Sequence, residues 1–159
     1  MDLKQYDKSA KNYEKVVTLN DSNINYYIRP MWLYIEKLNQ PENALKLAEK
    51  AVQNHSNQAM GYNLLGWAQI FSGNLDEGEK NLEKALALNP QLDAVYLNLG
   101  KLVEERGDLA KALKLYAKAY EMGNGGSISA AAVERYNNIV ANNKNLSTGA
   151  LKASTLNAK

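Results

Sequence analysis

Small and apolar residues recur along this chain at the three- and four-residue spacing of an amphipathic helix. Between residues 93 and 106, for example, Tyr96, Leu99, Gly100 and Val103 follow i, i+3, i+4 and i+7 and would share one face. The pattern predicts an all-α chain without strands. Its helices are expected near residues 6–19, 24–38, 42–54, 59–72, 76–88, 93–106, 110–122 and 128–142.

The middle of the chain repeats itself with a period of 34 residues. Residues 62–66 read Tyr-Asn-Leu-Leu-Gly, and residues 96–100 read Tyr-Leu-Asn-Leu-Gly. The later matched pairs are Gly73 and Gly107, Leu75 and Leu109, Gly78 and Ala112, Leu82 and Tyr116, and Ala85 and Ala119. This order of residue types is similar to the tetratricopeptide repeat pattern. The resemblance covers residues 6–124 and implies an α-solenoid, in which antiparallel helix pairs stack in a right-handed superhelix.

The turn inside each pair has its own chemistry. Gly107 suits the left-handed conformation that ends a helix, and Asp108 suits the N-cap of the next one. So short a connection keeps the two helices antiparallel and in contact, and Gly100 and Ala119 are small enough to let their backbones approach. The residues expected to be buried between helices are Tyr62, Leu65, Gly66, Tyr96, Leu99 and Gly100.

These patterns divide the chain into a repeat domain, residues 1–142, and a C-terminal tail. The predicted parts of the domain are a half repeat (6–21), a degenerate repeat (24–56), two full repeats (59–92 and 93–126) and a capping helix (127–142). Ser127 or Ser129 is expected to cap that last helix. The tail, residues 143–159, is predicted either to form a rudimentary helix or to fray.

The first two parts depart from the pattern. Residues 6–21 align with residues 75–90, which is a second helix, so a first helix is missing before them. Two explanations stay open: the chain is a piece of a longer protein, or a lone helix caps the N-terminus. In the degenerate repeat Pro30 falls inside the expected first helix and predicts a kink or a restart. Trp32 replaces the glycine of the other repeats and is expected to fill core space.

Composition removes several classes of function. Nineteen basic and 17 acidic residues give a net charge of +2, which offers no electrostatic basis for binding nucleic acid or an anionic membrane. There is no cysteine, so a disulfide, a thiolate zinc site and a catalytic thiol are all impossible. The single histidine, His55, lacks metal-ligand spacing and is expected in a surface turn. No catalytic residue, metal or cofactor is predicted.

The candidate binding surface is the face of each first helix that the buried stripe leaves unused. In the tetratricopeptide family these helices line a concave inner wall, where an extended peptide or a partner helix usually binds. If the resemblance holds, this groove has an apolar centre with basic flanks, and Trp67 is its anchor. Packing between first helices is the alternative for Trp67 and Phe71. The predicted groove residues are Met60, Asn63, Leu64, Trp67, Phe71, Leu97, Asn98, Lys101, Arg29 and Leu33.

The sequence therefore predicts a non-catalytic interaction module that binds a protein or peptide partner, as part of a larger protein. One alternative is self-association through the open helix ends, and another is an enzyme or small-molecule binder. A two-carboxylate clamp, as in the chaperone-tail binders of the family, is rejected because Leu64, Ala94 and Pro30 interrupt the required polar set. No signal peptide or membrane span is visible, which favours the cytoplasm and leaves the compartment open.

Overall fold

The computed structural model describes residues 2–143, and the regular elements in that range are all helical. The elements are α1 (Leu3–Leu19), a 3₁₀ turn (Ile24–Tyr27), α2 (Ile28–Trp32), a π segment (Leu33–Lys37), α3 (Pro41–Asn54), α4 (Ala59–Phe71), α5 (Leu75–Leu88), α6 (Asp93–Glu105), α7 (Leu109–Met122) and α8 (Ser127–Asn142). The predicted all-α class of stacked antiparallel helix pairs is confirmed. The chain divides into two compact units, Met1–Pro90 and Gln91–Lys159.

In the first unit, two glycines set the distance between α4 and α5. A Cβ added to Gly66 would lie 2.8 Å from Leu82 Cγ, and one added to Gly78 would lie 2.7 Å from Ile70 Cγ1. The carbonyl oxygen of Gly66 is itself only 3.1 Å from that second position. Because any larger residue would push the helices apart, the two glycines allow the pair to pack this closely.

The degenerate repeat opens with three kinds of helical turn in succession. A 3₁₀ turn is followed by α2, and α2 passes into the π segment at Leu33. Pro30 is the third residue of α2, so its missing N–H falls in the first turn, where an isolated helix leaves that group unpaired. The α-helical turns thus begin at Ile28, two residues before Pro30, and the helical backbone continues from the 3₁₀ turn into them without a break. Met31 and Tyr34 fill the core here, while Trp32 is only half-buried.

In the second unit, α6 packs against α7 around one close contact. A Cβ on Gly100 would lie 2.5 Å from Cε1 of Tyr116, whose side chain is fully buried. The turn between these helices follows its predicted chemistry, since Gly107 has a φ of 84° and the carboxylate of Asp108 accepts a hydrogen bond from Lys111 N at 3.0 Å. Residue types read from the sequence therefore account for both the approach and the turn.

The structure corrects three expectations about individual residues. Leu65 and Leu99 are half-buried, because each stands at the edge of the stripe that packs on the neighbouring helix. Gly126 precedes α8, and neither predicted serine caps it. Ser129 lies inside α8, where its Oγ donates to the carbonyl oxygen of Tyr120 at 2.8 Å. The tail prediction concerns residues that lie, after Asn143, outside the described range.

Candidate functional site

A basic and aromatic cluster lies along α2 and the π segment. The guanidinium carbon of Arg29 is 4.5 Å from the Trp32 ring centroid, and Nζ of Lys37 is 4.8 Å from it. Arg29 and Trp32 are three residues apart, about one helical turn. Trp32 and Lys37 are five apart, the spacing of hydrogen-bonded residues in a π-helix. Both cations are exposed, and each such contact contributes roughly 0.5–1 kcal/mol at an exposed site. The Trp32 indole thus lies beside two solvent-exposed cationic side chains.

Three apolar side chains of α4 accompany this cluster in the first unit. Met60, Trp67 and Phe71 are half-buried, and they pack against the same hydrophobic core cluster as Trp32. Since α2 also contacts α4, the two helices hold both sets of side chains on one core. We refer to Arg29, Trp32, Lys37, Met60, Trp67 and Phe71 together as the basic-aromatic surface. Trp67 and Phe71 therefore pack on the core with one part of the side chain and remain accessible to solvent with another. Each thus combines features of the two alternatives, groove residue and packing residue.

Five of the predicted groove residues are instead buried and present no side chain to a partner. They are Leu33 (2% exposed), Asn63 (2%), Leu64 (1%), Leu97 (6%) and Asn98 (3%). In the first unit the reason is that α4 is packed between α3 and α5, so little of its circumference stays open. The sequence held a signal for this, because residues 59–71 contain no charged side chain and a helix that is apolar all round is a buried one. Lys101, on α6 of the second unit, is half-buried.

Comparison with known families identifies the repeats. Residues 63–127 match the sequence model of the tetratricopeptide repeat family. This match confirms, for that part of the chain, the resemblance to tetratricopeptide repeats that the sequence pattern indicated. Among curated proteins, heat shock protein STI1 of Saccharomyces cerevisiae is 30% identical over 86 residues. That alignment spans 54% of this chain but only 15% of STI1, so it relates a segment and not the whole relative.

Solved structures give the same fold. A MamA structure from Desulfovibrio magneticus RS-1, beginning at residue 41, is 24% identical and covers 79% of this chain and 70% of its own, with a TM-score of 0.55. The MamA RS-1 ArsTM double mutant is 25% identical and covers 76% and 67%, with a TM-score of 0.53. At this level of sequence identity the structural similarity shows the fold alone, which is a helical repeat.

In the second unit a polar contact joins the helices of a tetratricopeptide pair to α8. The hydroxyl of Tyr116 donates a short hydrogen bond to Oε2 of Glu104, and Arg135 Nη1 lies 3.9 Å from the same oxygen. Burial and, after it, the hydrogen bond to Glu104 raise the pKa of Tyr116 well above its usual value. A phenol kept neutral here donates to a carboxylate, which is a structural role and involves no reacting atom.

The single histidine lies where the sequence analysis did not expect it. His55 is buried in the first unit, and its ring meets Tyr27 edge-on at a centroid distance of 5.7 Å. Its Nδ1 is 3.2 Å from Nε2 of Gln58, while its own Nε2 is buried without a hydrogen-bond partner among the described residues. The predicted surface turn is thus wrong. His55 does lie at the predicted turn, but its imidazole ring is buried against Tyr27 and does not face solvent.

No group of side chains that could hold a metal ion occurs in the part of the chain that the structure describes. Two other ion pairs, Asp7 with Lys11 and Glu77 with Lys80, each join side chains about one helical turn apart on a single helix. Within the same range, no helix combines the length and the apolar character that crossing a membrane requires.

Proposed function

We propose that this chain is a non-catalytic interaction module that binds an acidic protein segment on its basic-aromatic surface. The observation that carries the proposal is the pair of exposed cations on Trp32, which packs on the same core cluster as half-buried Met60, Trp67 and Phe71. Recognition surfaces are enriched in tryptophan, methionine and arginine, with aromatic anchors at their centre. The family match supports the class of function, since tetratricopeptide repeats serve as binding surfaces for other proteins.

The chemistry of the surface selects the ligand. The apolar side chains of this surface already pack on the core, which restricts their rotamers. Binding a ligand to them therefore costs little side-chain conformational entropy. Arg29 and Lys37 favour carboxylates at the edge of those contacts, and they would speed encounter at low ionic strength. The expected ligand is a segment with one large apolar residue followed or preceded by acidic residues.

A peptide selection with matched variants tests this proposal. Peptides selected from a random display library on the 159-residue chain would be measured by calorimetry against wild type and Trp67→Ala. Loss of a central anchor lowers affinity roughly 30-fold, the equivalent of about 2 kcal/mol. Because Trp67 also packs on the core, circular dichroism must first show that the variant is folded.

Charge reversal separates electrostatic recognition from general stickiness. Lys37→Glu should weaken binding of the selected peptide more at low than at high salt, whereas Lys46→Glu, on another exposed lysine of the same unit, should not. Peptides without acidic residues, or equal effects of the two reversals, would contradict the proposal. So would unchanged affinity in a folded Trp67→Ala variant.

A further inference from the structure

The connection between α7 and α8 contains an asparagine followed by a glycine, Asn124-Gly125, a pair that occurs once in the sequence. Both residues are exposed, and both have a positive φ, 45° for Asn124 and 78° for Gly125. Asparagine adopts this left-handed conformation more readily than most residues with a side chain do. The connection belongs to the second unit, so it is separate from the basic-aromatic surface of the first.

An Asn-Gly pair can react without an enzyme. The backbone nitrogen of the glycine attacks Cγ of the asparagine side chain, and the bond from Cγ to the amide nitrogen breaks. The proton of the attacking nitrogen passes through solvent to the leaving group, which departs as ammonia. Water then opens the five-membered succinimide at either carbonyl group, which gives aspartate or the β-linked isoaspartate. Glycine favours the attack because it has no Cβ to hinder the approach of its backbone.

The nitrogen that this reaction needs is held by a hydrogen bond in the structure. The N–H of Gly125 donates to Oγ of Ser129 at 3.0 Å, and that hydroxyl donates in turn to the carbonyl oxygen of Tyr120 at 2.8 Å. Ser129 is only 2% exposed, and a Cβ added to Gly123 would lie 2.6 Å from its Oγ. Because the hydroxyl is enclosed and bonded on both sides, the Gly125 nitrogen is released only when the connection opens.

We propose that Asn124 is a site of spontaneous deamidation and that Ser129 controls its rate. While the connection is closed, the Gly125 N–H is shared with Oγ of Ser129 and the nitrogen is not free to turn toward Cγ of Asn124. Local opening of a loop and its reclosing are faster than this slow chemistry. The rate therefore follows the fraction of molecules in which the bond to Ser129 is open.

The products change the junction between the two helices. Asn124 is the second residue after α7, and a carboxylate there replaces a neutral amide close to the negative end of the helix dipole. Isoaspartate also adds one atom to the main chain between Gly123 and Gly125. A backbone of that length no longer brings the Gly125 N–H to Ser129 in the same geometry, so the modified junction is less stable than the original one.

Timed incubation of the 159-residue chain in mildly alkaline buffer tests the proposal. After digestion, mass spectrometry follows the peptide that contains Asn124, and labelling by an isoaspartyl methyltransferase detects the β-linked product. Urea-unfolded chain should react at least about fivefold faster than folded chain, the factor that corresponds to one hydrogen bond of about 1 kcal/mol. Asn124→Gly, which keeps the positive φ accessible, should remove the signal and so assign it to this site.

A pair of serine variants isolates the role of the hydrogen bond. In the folded chain, Ser129→Ala should raise the rate about fivefold, because the acceptor of the Gly125 N–H is gone. The matched control is Ser127→Ala, at an exposed serine of the same helix that does not accept this bond, and it should react as wild type does. Circular dichroism shows first that both variants are folded.

Hydrogen exchange of the Gly125 amide in wild type gives a readout that does not depend on any variant. It should be slow, although Gly125 itself is exposed, because the amide is bonded to a buried hydroxyl. Exchange as fast as in the unfolded chain, or equal deamidation of folded and unfolded wild type, would overturn the proposal even if Ser129→Ala failed to fold. So would slower deamidation of folded Ser129→Ala, which would show that the hydroxyl promotes the attack.

Discussion

At the scale of single residues, glycines at close helix contacts are as important to the packing as large side chains are. Gly66, Gly78 and Gly100 each lie where an added Cβ would be within 3 Å of a neighbouring side chain. Gly61 is different, since the nearest atoms to its added Cβ are 3.5 Å away, an ordinary contact. The glycines of these helices therefore divide into those that the packing requires and one that it does not.

Substituting alanine at the two kinds of glycine should have opposite effects. Gly100→Ala is expected to destabilise the chain by about 1–3 kcal/mol, since the Tyr116 ring must move out of a filled space. Gly61→Ala should be neutral or stabilising by up to about 1 kcal/mol, because alanine is the better helix former. Urea unfolding followed by circular dichroism measures both. Equal losses at the two sites would contradict the packing described for α6 and α7.

The buried tyrosines give the stability of the chain a dependence on alkaline pH. Burial, and secondly Glu104 for Tyr116 and Glu14 for Tyr34, raises the pKa of these phenols in the folded chain. A raised folded pKa adds stability below the unfolded pKa of about 10, and that stability is lost as pH rises above it. The free energy of unfolding should thus fall above about pH 10.

Tyrosinate absorbance checks this expectation directly. The phenols of Tyr34 and Tyr116 should ionise only in a phase that coincides with unfolding, because burial raises their pKa in the folded chain. Tyr116→Phe should reduce the pH dependence, since one of the neutral phenols is gone. Ionisation of Tyr34 and Tyr116 near pH 10 while the chain is still folded would show that these phenols are not protected.

At the scale of helices, the turn between α6 and α7 could be predicted from its residues, whereas the irregular turns before Lys37 could not. Gly107 and Asp108 marked a helix stop and start because each residue type has a definite preference at that position. The succession of 3₁₀, α and π turns before Lys37 has no such marker beyond Pro30. In this segment the bulky Met31 and Trp32 stand where the other repeats have Leu-Gly.

The two caps of the second helices offer a matched pair for measurement. The carboxylate of Asp108 accepts a bond from Lys111 N, whereas the side chain of Asn74, at the same position before α5, makes no such bond. Asp108→Ala should therefore cost about 1 kcal/mol, within the 0.5–2 range of N-caps, and Asn74→Ala much less. Thermal and urea unfolding of the two variants compares them. A larger loss at Asn74 would show that the cap is not what stabilises this turn.

At the scale of the whole molecule, the sequence predicted the architecture better than the candidate site. The period of 34 residues fixes which residues are equivalent, and equivalence was enough to place the helix pairs. Accessibility is not a property of one repeat, because α4 is covered by both α3 and α5. For this reason Asn63 and Leu64 looked like groove residues and are buried, while Arg29, Trp67 and Phe71 remain partly accessible.

The clearest whole-molecule prediction separates stability from binding. Leu102 is fully buried, and Leu102→Ala should lower the free energy of unfolding by roughly 2–5 kcal/mol. Leu99→Ala, three residues away on the same helix, should cost less because Leu99 is only half-buried and leaves a smaller cavity. Neither leucine belongs to the basic-aromatic surface, so folded samples of both variants should keep wild-type affinity for the selected peptide.

The double variant Arg29→Glu, Lys37→Glu should lose affinity for the selected peptide and keep the wild-type free energy of unfolding, since both side chains are exposed and lie beside Trp32. Urea unfolding and calorimetry on the same samples measure the two properties. If the charge reversals lowered stability as much as Leu102→Ala, the two cations would be part of what holds the first unit together, and their assignment to binding would fail.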